Sequence, residues 1–483
     1  MKGDSNSMKK VLCSILAFTL LFAFFAVPAM AEHTPAEAAE MVVIGGGAAG
    51  LNGAYKAAEQ GVKVVVLEKM AFLGGASMMA STGINAGSSD LQLATASPYT
   101  ADQFYEYAQS WDYGYDRIGY RVVPVRDDFA HTFAYRSAEA ANWVASLGVE
   151  MKASDDSHSL QLVTKENGAF GAVYMGKLIP AVQGMENIEI RLNTRATEIL
   201  LDDSGAVCGV RAVGPEGEYV IETKAVLLAT GGYASAGSAF FQKYAPEWDG
   251  YYSFGYAGAE GDGIVMADAV GAQLLGIEAI TSTTVTVGEP NKAGAFSLAN
   301  AVKAGAVLLN KEGQRFVNEA AGTAVVVDAM KAQTDHQAYF FATDAILAEN
   351  ADLQNVVDRG LVTEADSLEE LAEALGLDKD AVAESFRLYA ENGASGSDEF
   401  GKETIADDFS TGKYYGVLVM PARRICTGGI VVDGQAQVLD VNDQVIPGLY
   451  AAGETTAYGA HPLSASTIFG RQAADSIVEF LGK

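Results

Sequence analysis

Residues 41–50 read Met-Val-Val-Ile-Gly-Gly-Gly-Ala-Ala-Gly. Four apolar residues run directly into Gly45-x-Gly47-x-x-Gly50, and Ala48 to Gln60 then reads as a helix closed by Gly61. A second apolar run, Val64 to Leu67, ends in Glu68, eighteen residues after Gly50. Each part has a physical task in holding a dinucleotide. Small residues let the backbone approach a pyrophosphate, the helix N-terminus supplies amides and a positive dipole, and the carboxylate accepts hydrogen bonds from a ribose. GxGxxG alone is weak evidence. In this strand, turn, helix, strand and Glu order it points to a dinucleotide on a parallel α/β sheet.

Later segments separate FAD from NAD. Gly74-Gly75-Ala76-Ser77, soon after Glu68-Lys69, resembles the segment with which large flavoproteins wrap the FAD pyrophosphate and isoalloxazine, and so does Ser81-Thr-Gly-Ile-Asn-Ala86. Val226-Leu-Leu-Ala-Thr-Gly-Gly232 and Ile446-Pro-Gly-Leu-Tyr-Ala-Ala-Gly-Glu454 are further apolar runs ending in small residues, with Glu454 placed to meet the ribityl chain. Any one of these alone is a parallel strand ending in a glycine turn. Together, in this order, they read as FAD.

On these residues the chain resembles the FAD-binding flavoprotein family of fumarate reductase and succinate dehydrogenase flavoprotein subunits, which includes soluble periplasmic fumarate and urocanate reductases, aspartate oxidase and ketosteroid dehydrogenases. The resemblance spans nearly all of residues 40–483. It extends to Thr194-Arg-Ala-Thr197, Gly258-Ala-Glu-Gly-Asp-Gly263, Gly305 to Glu319, Gly428-Gly429, Gly453-Glu454 and Phe469-Gly-Arg471. It implies a Rossmann-like FAD-binding domain in two segments, 32–278 and 425–483, with an α+β capping domain inserted at 279–424. It also implies noncovalent FAD held by Gly45, Gly47, Ala48, Ala49, Gly50, Glu68, Lys69, Gly75, Ala76, Ser77, Gly83, Ile84, Asn85, Ala196, Thr230, Gly231, Asp262, Gly453, Glu454, Ser466, Thr467 and Ile468.

The chain departs from the family where fumarate would bind. The family's His-Pro-Thr segment reads Ile280-Thr-Ser-Thr-Thr284, which puts Thr283 and Thr284 in substrate-facing slots. The arginine that donates the proton in fumarate reductases is replaced by Thr323. Pro421-Ala-Arg-Arg-Ile-Cys-Thr-Gly-Gly429 carries Arg424 in a histidine slot, and the carboxylate-binding arginine after Gly453-Glu454 is missing from a shortened loop. The candidates to replace these groups are Arg424, Tyr458 and His461 as catalytic residues, with Arg423 beside the substrate. An arginine stabilises a carboxylate or enolate bidentately, and a tyrosine or histidine can supply a proton. His33, His131, His158 and His336 read as surface or structural residues. Phe104 to Tyr120 is either an aromatic substrate mouth or an ordinary amphipathic helix and turn, and Tyr251 to Tyr256 is similarly ambiguous.

The expected activity is reduction of the C=C bond of an unsaturated, carboxylated organic substrate other than fumarate, with aromatic acids among the candidates. Hydride would leave flavin N5 and a side chain would add the proton. The same machinery run backwards, as in the ketosteroid dehydrogenases, gives a desaturase, and loss of the catalytic groups would leave a flavin electron carrier.

The remaining composition places this activity. In 483 residues, 32 Lys and Arg stand against 61 Asp and Glu, a net charge of −29 that repels nucleic-acid phosphates. Lys9-Lys10, an apolar run from Val11 to Val27 and Ala29-Met30-Ala31 have the three-part pattern of a signal peptide over residues 1–31. Cleavage after Ala31 is expected, the alternative being an uncleaved anchor, for which the run is shorter than the ~20 residues of a spanning helix. Losing Lys2, Lys9, Lys10 and Asp4 leaves 29 basic and 60 acidic residues, a net charge of −31, on a secreted or extracytoplasmic product. Cys208 and Cys426 stand far apart with no CxxC or Cys/His cluster, so no metal site or iron–sulfur cluster is expected, and two buried thiols are favoured over a disulfide. Without a CxxCH haem motif or a covalent-FMN site, electrons are expected from a separate envelope flavoprotein or cytochrome. That would make the protein a terminal reductase in anaerobic respiration.

Overall fold

The computed structural model describes residues 37–110, 114–115, 121–163, 168–395, 398–402, 407, 409–457 and 462–483. Met41–Ile44 and Val64–Leu67 are buried on both faces, as their unbroken apolar sequence requires of strands covered on two sides. They lie inside a six-stranded sheet ordered Gln437–Leu439, Val445–Ala451, Val226–Leu228, Met41–Ile44, Val64–Leu67, Ile188–Arg191. Every neighbouring pair is parallel except the first. Val42 sits opposite Val65 on one side and Val226 on the other, so the two strands of the nucleotide fingerprint and the later apolar run are direct neighbours. Two helices, Ala48–Glu59 and Pro462–Phe480, pack on each other beside this sheet, their close contact permitted by Gly470, where a Cβ would fall 2.3 Å from Ala49 O, and by Gly53 opposite it. The architecture is α/β, as the sequence implied.

The apolar interior forms two clusters. One gathers side chains from residues 41–295 and 420–478 around the parallel sheet. The other lies entirely within residues 285–419 and includes Leu308, Phe340, Phe341, Leu353, Leu371 and Phe386. It is built on an antiparallel arrangement in which Tyr414–Cys426 is flanked by Ile280–Val287 and Ala338–Thr343. The strand Tyr414–Cys426 is 13 residues long and serves both interiors, with Tyr414 and Val419 in the second cluster and Met420, Ala422 and Cys426 in the first. Beside this second cluster lie the short strand Thr363–Ala365 and the helices Leu368–Ala374 and Lys379–Ser395.

Both cysteines are free thiols, but only Cys426 is buried as expected; Cys208 is exposed, because it sits on the outward-facing side of the strand Val207–Gly214. Among the described residues no helix is long and apolar enough to cross a membrane, and no His/Cys/Asp/Glu group could hold a metal ion. Residues 1–36, with the whole signal-peptide pattern, lie outside the described residues.

Candidate active site

The carboxyl ends of the parallel strands open onto a cavity of about 450 Å³, where ligands of open α/β sheets are expected. The glycine turn forms its floor. Gly45 adopts φ +114°, a conformation that excludes side chains, and a Cβ there would fall 2.2 Å from Ala229 O. A Cβ on Gly50 would fall 2.0 Å from Gly45 O, so the helix can approach the strand only because that side chain is missing. Gly50→Ala is therefore expected to destabilise the protein by about 1–3 kcal/mol, the usual cost of overpacking, read from its urea midpoint.

The helix Ala48–Glu59 starts at Gly47 without a side-chain cap, so its N-terminal amides face the cavity, where Ser77 Oγ accepts from Ala48 N at 3.1 Å. Such an end suits a pyrophosphate. Glu68, only 7 % exposed, is oriented by two amides: Gly46 N donates to Oε2 and Met70 N to Oε1, each at 2.8 Å. A carboxylate has about four acceptor positions, so both oxygens keep capacity for ribose hydroxyls. Beside it Lys69 pairs with Glu260 at 2.7 Å and Asp262 at 2.9 Å, and Arg195 bonds to the same two acids. These two cations and two acids balance one another, which leaves the Glu68 carboxylate as the unpaired charge among the described residues at this end of the cavity.

At the other end Asn85 N donates to Ser464 Oγ at 2.8 Å, and Ile84–Asn85 pairs with Ser159–Leu162, which brings His158 and Ser159 into the wall. Glu454 faces the cavity and accepts from Cys426 N at 3.0 Å. Burial pushes its carboxyl from 4.5 up to about 7, against the opposing Cys426 amide. The folded chain therefore holds a proton that the unfolded chain releases. This contribution to stability is fully present below about pH 4.5 and fades as the pH rises through about 7. For the ligand-free protein, urea midpoints should fall across that window, and Glu454→Gln should flatten the fall. The Cys426 thiol is also pushed up by burial, and its Sγ accepts from Tyr233 N at 3.2 Å, a structural rather than a reactive setting.

Arg423 and Arg424 part company. Ser282 pairs with Arg423 and Thr281 with Ile425, so Arg424 is the extra residue of a β-bulge. Bulges re-aim side chains. Arg424 lines the cavity, is exposed, and makes no hydrogen bond or ion pair among the described residues. Arg423 is fully buried outside the cavity wall, with Nη1 donating to Trp248 O at 3.1 Å, Nη2 to Tyr251 O at 3.0 Å, and the guanidinium 3.8 Å from the Phe241 ring centre. Burial without an ion pair lowers its pKa to about 10. It anchors the strand and does not reach the cavity.

Of the residues that the sequence assigned to FAD, Gly45, Gly47, Ala48, Ala49, Glu68, Lys69, Gly75, Ala76, Ser77, Gly83, Asn85, Ala196, Thr230, Gly231, Asp262, Glu454 and Ser466 line the cavity. Gly50, Ile84, Gly453, Thr467 and Ile468 are buried behind its wall. The last helix already begins at Pro462, so Thr467 and Ile468 lie within it. Thr283 and Thr284 sit on the strand Ile280–Val287, away from the lining. Tyr458 and His461 lie outside the described residues. His158, Met79, Phe254 and Tyr256 line the cavity without having been assigned to it. His158 stacks on Tyr107 with ring centres 5.0 Å apart, and the helix Ala101–Gln109 that carries Tyr107 is amphipathic, burying Phe104 and Ala108.

Residues 40–467 match the FAD binding domain family. The chain is 30 % identical over 463 residues to a fumarate reductase (cytochrome) of Shewanella frigidimarina, covering 93 % of this chain and 78 % of that protein. It is 30 % identical over 462 residues to a urocanate reductase of Eggerthella lenta, covering 90 % and 73 %. Among solved structures, the open conformation of a flavocytochrome c3 fumarate reductase superposes with a TM-score of 0.79 at 26 % identity, covering 100 % of this chain and 83 % of that one. The glycine floor, the uncapped helix end and the twice-anchored Glu68 fit the cofactor these proteins share, and the chain belongs to the FAD-binding family of fumarate reductase flavoproteins, the FAD-dependent oxidoreductases of C=C bonds.

Proposed function

We propose that the protein is an exported reductase of the C=C bond of an unsaturated, carboxylated organic acid other than fumarate, aromatic acids included, working as a terminal reductase of anaerobic respiration. FAD bound in the cavity without a covalent link supplies the hydride for a two-electron reduction. The single observation that carries this reading is Arg424, a guanidinium raised by a bulge into the cofactor cavity and left without an anionic partner among the described residues of a chain carrying a net charge of −29. In so acidic a protein a cavity cation without a partner suits an anionic substrate.

The residues divide the work accordingly. Arg424 binds the substrate carboxylate, Arg423 and its carbonyl anchors hold the strand that carries it, and Tyr458 or His461 supplies the proton to the carbon that does not take the hydride. Residues 279–424, with their separate apolar cluster, act as a cap on the FAD-binding segments 32–278 and 425–483. Relatives named as fumarate and urocanate reductases favour a conjugated acid as substrate. The replacement of the family's proton-donating arginine by Thr323 argues against fumarate itself. Lys9-Lys10, the apolar run and Ala29-Met30-Ala31 support export, and electrons would then come from a separate envelope flavoprotein or cytochrome.

The test is to reduce the purified flavoprotein anaerobically with dithionite or reduced viologen and offer unsaturated acids, enones and saturated acids in turn. Reoxidation by an unsaturated acid other than fumarate is the expected result. Reoxidation by fumarate alone, or by no unsaturated acid, would overturn the assignment. Reduction of the oxidised flavin by a saturated acid would make the protein a desaturase.

A further inference from the structure

One titratable side chain in the cavity wall has no task in the reading above. His158 is half-buried, lines the cavity, and stands immediately before the strand Ser159–Leu162 that pairs with Ile84–Asn85. Its carbonyl accepts from Ala86 N at 2.9 Å, so the backbone pairing continues through it. Tyr107 lies within 18° of parallel to the imidazole at 5.0 Å between ring centres, Phe104 within 10° at 6.0 Å, and Tyr99 crosses it at 58° and 5.6 Å. Three rings thus hold the plane of the imidazole. A phenylalanine would pack there as well, and what the imidazole adds is a ring N–H.

Its position says which half of the cofactor it meets. Glu68 marks the nucleoside end, and Ser77 stands beside the helix end suited to a pyrophosphate. From Ser77 the chain continues along the wall through Ser81, Thr82 and Gly83 to Asn85, where it meets His158 and Ser159. A dinucleotide laid from Glu68 across the helix end therefore brings its isoalloxazine to this segment. On residues 81–85 and 158–159, His158 is the only side chain able to carry positive charge. An isoalloxazine that accepts two electrons and one proton gains one negative charge, so a hydrogen-bond donor against it favours the reduced form.

We propose that His158 donates a ring N–H hydrogen bond to the isoalloxazine of bound FAD and so raises its reduction potential. The inference rests on FAD filling this cavity and involves no substrate, so a failed substrate screen leaves it standing, whereas a wild-type protein that binds no FAD would overturn it together with the cofactor reading. FAD-loaded wild type, His158→Phe and His158→Gln are equilibrated anaerobically with a redox dye of known potential, and the ratio of reduced to oxidised flavin is read from absorbance. The FAD Kd of each flavin-free protein is read from quenching of flavin fluorescence. At equal dye potential, the ratio in His158→Phe should be about tenfold lower than in the wild type, the equivalent of one charge-assisted hydrogen bond. Its FAD Kd should stay within about threefold, because the aromatic packing is kept and the oxidised ring carries no added charge. His158→Gln, which retains an N–H, should fall between the two. Should the phenylalanine variant fail to fold, His158→Leu takes its place with the same expected ratio. Equal ratios in wild type and His158→Phe would overturn the proposal, as would a fall in His158→Gln as deep as in His158→Phe. Loss of FAD binding in every variant would make His158 a binding group and overturn it too.

Discussion

Glu319→Ala is expected to lower the stability of the protein by about 3–5 kcal/mol, the usual loss when one member of a buried charge network is removed. Arg315 meets the Glu319 carboxylate with Nε on Oε1 and Nη2 on Oε2, both at 2.9 Å, and turns Nη1 to Asp398 at 2.7 Å. Lys402 Nζ reaches Glu319 Oε2 at 3.1 Å, and the amide of Leu308 also donates to this carboxylate. All four charged side chains are at most 6 % exposed, and both cations lie over the Tyr389 ring. Two cations balance two carboxylates, so the intact cluster is neutral. Without Glu319, two buried cations share one carboxylate, and neither water nor salt can reach them to compensate. Glu319→Gln, which keeps an acceptor but not the charge, should lose less. Urea denaturation followed by circular dichroism would measure both, and a loss under about 1 kcal/mol for Glu319→Ala would show the cluster to be dispensable.

The second large effect concerns chemistry. Arg424→Leu should reduce kcat/KM for a carboxylated substrate by about 10–10², or roughly 1.5–3 kcal/mol of lost transition-state stabilisation, because the carboxylate would lose its only assigned cation. Flavin content and melting temperature should hardly change, since the side chain makes no hydrogen bond or ion pair among the described residues. Arg424→Lys should recover part of the loss, as a point charge replaces a bidentate fork. An uncharged enone provides the control. If its turnover fell as far as that of the acid, Arg424 would be serving the flavin or the fold, and the substrate class would have to be revised.

The parts of the site that could be read from sequence are those whose chemistry is local. A dinucleotide turn needs its strand, its small residues, its helix end and its carboxylate within about thirty residues of chain, so 41–68 declares itself. Helix and strands fall where the apolar runs placed them, with Ala48–Glu59 ending one residue before the anticipated Gln60. The missed wall residues depend on distant pairings. His158 enters the cavity because Asn85 pairs with Ser159, 74 positions away, and no local pattern records that register. Tyr256 reads locally as one more aromatic in a Tyr-rich stretch. Arg423 and Arg424 are indistinguishable by composition, and only the bulge opposite Thr281 and Ser282 separates an anchor from a cavity residue. Thr467 and Ile468 are buried in the helix Pro462–Phe480, whose Ser464 and Ser466 reach the cavity wall, so which side chains of this helix face the cavity depends on its rotation and not on any local sequence signal.

The bulge at Arg424 also bears on how this chain can drift. The strand there carries one residue more than its partner, so deleting codon 424 would leave a regular antiparallel ladder running from Arg423 straight to Ile425. The fold would keep its register while the guanidinium disappeared. If Arg424 binds the substrate as proposed, a single deletion would remove its selectivity for an anion while leaving the strand pairing intact.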